Sequence, residues 1–160
     1  MPFYLLLGLL AGLAAASQSP INARLAQTLG GLPLLAALLS FAIGTVALLA
    51  LAGWRGQLGA LAGLGSAPLW QLSGGLLGAV FVFITVSLVP KLGVATLFFL
   101  IVLGQIGGAL LIDRLGLFGL PVRALSGPKL AGLALLLLGL LLFCFGEGWW
   151  ALLTRKNWGF

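Results

Sequence analysis

The stretch VATLFFLIVLGQIGGALLI, residues 94–112, decides the fold: nineteen residues without a charge, flanked by Lys91 on one side and Asp113-Arg114 on the other. At about 1.5 Å per residue, a helix of this length covers most of a bilayer hydrocarbon core about 30 Å thick. It has no polar face to turn toward water. Four more stretches repeat the pattern, at about 3–22, 33–53, 69–89 and 129–150, with breaks of Gly, Pro and single basic residues between them. The expectation is an all-α integral membrane protein with five transmembrane helices. It forms a single transmembrane domain over 1–153 with a short basic and aromatic tail, 154–160.

Composition agrees over the whole chain. Of 160 residues, 62% are hydrophobic and 6% are charged, and mean hydropathy is +1.26; a soluble domain carries about 25% charged residues. The net charge of +6 does not point to nucleic acid, because the basic residues stand singly between apolar runs and form no phosphate-binding stripe. They read as interfacial anchors. Histidine is absent and Cys144 is the lone cysteine, which excludes His-dependent catalysis, an intrachain disulfide and a thiolate metal cluster. No acid pair lies within a span, so the chain is not expected to be an enzyme, and no cofactor or metal is expected. Met1-Pro2-Phe3-Tyr4 lacks the basic start of a secretory signal, so the first apolar run reads as a retained helix.

Five spans put the termini on opposite faces. Arg55, Arg114, Arg123 and Lys129 then share the N-terminal face, while Arg24, Lys91, Arg155 and Lys156 share the other. The count is even, so the positive-inside bias that normally fixes orientation is zero. Either a local feature sets topology, or the chain inserts both ways and pairs with an inverted copy.

Polar side chains within the spans carry the functional signal, because each needs a partner where water is absent. Gln18 and Asn22 are four apart on one helix face, beside Pro20, whose ring crowds the carbonyl of Ala16 and predicts a kink or partial unwinding. Those amides either help to hold a small substrate or satisfy the broken backbone. Gln105 is the most deeply placed strong polar group. Ser40, Thr45, Ser73, Thr85, Ser87 and Thr96 are weaker signals, since a hydroxyl can bond back to its own helix. Asp113 and Glu147 are the only acids; Asp113 with Arg114 reads as an interfacial ion pair or cap, or as a coupling site.

The 25 glycines fall largely within the apolar runs. Gly74 and Gly78, and Gly104 and Gly108, have the spacing that lets helix backbones approach, and Gly132, Gly139 and Gly146 recur every seventh residue of the last span. These faces serve packing within the chain or a dimer seam, with the last span preferred as the seam.

In order and spacing, several motifs together resemble the YdcZ-like family of bacterial inner-membrane proteins, of the drug/metabolite transporter superfamily. They are Gln18 with Asn22 and Leu25, Ser40-Phe41 with Gly44-Thr45, Gly74-Gly75 with Gly78-Ala79, Pro90-Lys91-Leu92-Gly93, Gly104-Gln105, and Ile112-Asp113 with Gly116. The resemblance covers roughly 3–143. It implies half of a ten-helix transporter fold, completed by an antiparallel second copy. It also implies secondary transport of a small organic molecule or metabolite by alternating access in a bacterial inner membrane. The substrate path would be lined by Gln18, Asn22 and Gln105. The first-helix glutamate of the superfamily's small multidrug exporters is missing, Gln18 being the strong polar residue of that span, so proton-coupled export of cations is not expected. The alternative is a non-transporting membrane subunit that packs through its glycine faces.

Overall fold

A computed structural model describes residues 2–124 and 126–155. It contains five long α-helices, α1 (Pro2–Thr28), α2 (Pro33–Trp54), α3 (Ser73–Leu92), α4 (Val94–Leu115) and α5 (Gly127–Arg155). Among the described residues there is no strand. Each helix, with the third counted from Leu69, is long and apolar enough to cross a membrane, and at most 17% of any such span is buried inside the chain. The uncovered remainder is apolar surface that requires lipid or another protein chain around it.

The chain divides into two compact units, one ending at Val94 and one beginning at Ala95. In the first, α1, α2 and α3 each pack against the other two. Their contact is built from Ala26, Ala36, Ala37, Val82 and Val86, with Leu25 and Leu29 at its margin. Small side chains suit this setting: apolar burial gives helices no net drive to associate in lipid, and backbones gain most by approaching closely. Phe41 lies against Gly78, where an added Cβ would stand 3.4 Å from the ring. In the second unit, the rings of Phe99 on α4 and Phe143 on α5 meet with centroids 4.7 Å apart.

The helices outrun the apolar lengths that define the expected spans. α1 passes Asn22 to end at Thr28, α3 passes Pro90 to Leu92, and α4 passes Ile112 to Leu115. A charged residue marks where lipid ends, but helical hydrogen bonding continues until the backbone must turn. The turns come at Gly30 and Gly31 (φ +80° each), Gly56 (+66°), Gly93 (+76°) and Gly116 (+60°), all in the left-handed region that suits a helix cap. At the first of these, the Gly31 N–H donates to the Ala26 carbonyl at 2.8 Å. The helix is also unbroken through Pro20, so the expected unwinding does not occur. A proline removes one donor, and the bonds on either side hold the remaining turns.

Residues 56–68, between the second and third expected spans, hold a 3₁₀-helix over Leu58–Ser66. The third span opens with a 3₁₀ turn over Leu69–Leu72 before α3 begins. α5 extends two residues N-terminal to Lys129 and includes Thr154 and Arg155 of the expected tail; residues 156–160 lie outside the described residues.

Candidate functional site

Asn22 is 5% exposed on α1, one turn before the core residue Ala26. Ser40 on α2 stands one turn after Ala36. With the alanines in one cluster and Asn22 beside Ser40, α1 and α2 run antiparallel. That register sets polar against polar: Asn22 Nδ2 donates to Ser40 Oγ at 3.1 Å. Gln18, one turn back, sends Nε2 to the same oxygen at 3.4 Å, a longer and weaker contact. The two amides thus converge on a hydroxyl across the helix interface rather than on the backbone near Ala16.

Other hydroxyls behave differently. Ser19 Oγ donates to the Ala15 carbonyl at 3.5 Å, Thr85 Oγ1 to Val82 at 2.9 Å and Ser87 Oγ to Phe83 at 2.7 Å; each is satisfied within its own helix. Ser40 makes no such bond. It faces a cavity of about 190 Å³ lined by Gln18, Ser40, Phe41, Gly44, Thr45 and Leu48. Ser40 is therefore the hub of the site, although its residue type alone ranks it with the structural hydroxyls. The signal that finds it is register: counting back one turn from Asn22–Ser40 reaches the Ala26–Ala36 contact.

Gln105 belongs to the second unit. It lies within one residue of the midpoint of α4, it is exposed, and it makes no hydrogen bond to any described residue. An amide near the middle of a membrane span is costly without a partner.

Asp113 and Arg114 form no ion pair with each other. The Asp113 carbonyl instead accepts from the Arg123 N–H at 2.8 Å. Asp113 and Arg123 line a cavity of about 150 Å³ with Leu120 and Pro121, so the contact that joins these two residues is one between backbones.

Of the glycines expected in packing or a seam, only Gly78 faces a side chain. An added Cβ at Gly74, Gly104, Gly108, Gly132, Gly139 or Gly146 would meet nothing within 4 Å.

The family described as "Putative inner membrane exporter, YdcZ" matches residues 3–142. The chain is 35% identical over 133 residues to a protein of Escherichia coli strain K12 called inner membrane protein YdcZ, covering 81% of this chain and 86% of the relative. No solved structure matches it. Five apolar helices and these two likenesses agree on one assignment: the chain is a multi-pass inner-membrane protein and belongs to the YdcZ family.

Proposed function

We propose that the protein is a secondary transporter that moves a small, uncharged organic molecule by alternating access, as an antiparallel homodimer. The observation that carries this reading is the convergence of Gln18 and Asn22 on Ser40 beside a cavity, next to a helix contact built of Ala and Val. Strong polar groups within a membrane span are costly and are kept where a solute must be met. The exporter description of the family supports the same reading. Gln105, at the middle of α4 and without a hydrogen-bond partner among the described residues, is the third proposed substrate contact. Absence of an acid from the amide cluster favours a neutral solute over a cation.

Two five-helix units facing opposite ways would supply the ten-helix framework and the inverted repeat around a midplane site. The even distribution of basic residues supports such pairing. Asp113 with Arg123 is the proposed place for any proton coupling, at the cavity they share.

The test is flux in vesicles reconstituted with purified protein and a panel of uncharged metabolites. Uptake of at least one solute that Asn22→Leu or Gln105→Leu abolishes is the expected result. A second reading, a non-transporting membrane subunit, draws on the open glycine faces of α4 and α5. It wins if no solute moves, the amide variants keep the cellular phenotype, and bulky substitutions at those glycines abolish it.

A further inference from the structure

The cavity at Ser40 shares part of its wall with a larger one. Thr45 and Leu48 line both, and the larger, about 580 Å³, runs along α2 to the 3₁₀-helix. Its walls are Leu49 and Ala52 from α2, and Leu58 and Leu61 from the 3₁₀-helix. Gln57 is the sole strong hydrogen-bonding side chain besides Thr45 on that lining, and no ionisable group lines either cavity. The combined site has one polar end and one long apolar end. Such a volume and a mostly apolar lining with few polar groups are what small-molecule sites share.

The polar end also has a direction. A serine hydroxyl offers one proton and two lone pairs. Ser40 Oγ accepts from Asn22 at 3.1 Å and, more weakly, from Gln18 at 3.4 Å, and its proton has no acceptor among the described residues. A ligand there completes the hydroxyl by accepting a hydrogen bond. A cation would bring further donors and find no counter-charge; an anion would lose its hydration with no positive side chain on the lining.

We infer that this site takes an uncharged amphiphile whose carbonyl or ether oxygen accepts from Ser40, while its apolar body lies between α2 and the 3₁₀-helix. The inference rests on the transport reading for its purpose, though binding can be measured separately.

The experiment uses the full chain in detergent with Cys144→Ala and Leu61→Cys, and follows maleimide alkylation at position 61. The probes are phenylbutanone, phenylbutylammonium, phenylbutyrate and butylbenzene, which share one apolar body and differ at the head. Phenylbutanone is expected to slow alkylation about threefold at twice its dissociation constant. Ser40→Ala should raise the half-protecting concentration about fivefold, the loss of one hydrogen bond, and Ser40→Thr should restore it. Equal or better protection by the ammonium, the carboxylate or the plain hydrocarbon overturns the inference. Protection indifferent to Ser40→Ala overturns it too. Ser40-dependent protection without flux in vesicles would keep this site and defeat the transport reading; flux without protection at position 61 would do the reverse.

Discussion

Replacing Ser40 by Ala, Asn22 by Leu, and both together isolates the contact on which the site depends. Ser40→Ala strips the acceptor from Asn22 Nδ2, held at 3.1 Å in a side chain that is 5% exposed. A buried amide left without a partner costs about 1–3 kcal/mol in soluble proteins. Within membranes, interhelical hydrogen bonds average about 0.6 kcal/mol and reach about 1.7; the burial of Asn22 puts the expected loss near about 1 kcal/mol. The Gln18 contact, at 3.4 Å from an exposed residue, adds little. Asn22→Leu costs less, because the freed Ser40 hydroxyl can turn to a carbonyl of its own helix. The double variant places apolar against apolar and is expected to be less destabilised than the sum of the singles by about 0.6–1.7 kcal/mol. Unfolding of the full chain in mild-detergent micelles by titration with a denaturing detergent reads all four proteins. If the single effects add within about 0.3 kcal/mol, Asn22 and Ser40 do not share a bond and the site is built wrongly.

Further outcomes follow from the same geometry. Gln105→Leu removes an amide with no partner among the described residues, so unfolding resistance should stay equal or rise while flux is lost; a clear loss of stability would show that Gln105 is a structural group. At Gly132 and Gly139 an added Cβ meets no described atom within 4 Å, so with both changed to Leu secondary structure should persist while chemical cross-linking of dimers falls, if α5 is the seam. Gly116→Ala forces a side chain at φ +60° to within 2.8 Å of Val122 Cγ2 and 3.0 Å of the Leu120 carbonyl. Left-handed backbone alone costs about 1–2 kcal/mol, and faster amide exchange at Arg123, whose N–H caps the Asp113 carbonyl, is the expected readout.

Five helices were legible because each needs only a long apolar run, and 94–112 alone displays one. Their ends were less so. Charges at Arg24, Lys91 and Asp113 report where lipid stops, whereas Gly30, Gly93 and Gly116 report where the backbone turns, and the helices follow the second signal. Proline was a poor guide for the same reason: Pro20 and Pro90 each remove one donor and neither ends a helix. In the site, Gln18 and Asn22 stood out by type and spacing. Ser40 did not, because a hydroxyl within a helix ordinarily bonds its own backbone, as Thr85 and Ser87 do. Only the antiparallel register of α1 on α2, set by Ala26 and Ala36, reveals that this hydroxyl faces two amides. Near the end of α4 the loop brings the Arg123 backbone N–H back to the Asp113 carbonyl, a contact that residue type does not signal, while the side chains of Arg114 and Arg123 are both exposed.

The central claim, that the working unit is two inverted copies of this chain, rests on orientation. It is tested most directly by fusing to the C-terminus, in separate fusions of equal expression, one reporter active only in the cytoplasm and one active only outside it. The account predicts comparable activity from both, and a shift to one side when a single basic residue is added to one face. Activity from one reporter alone in the unaltered chain would contradict it.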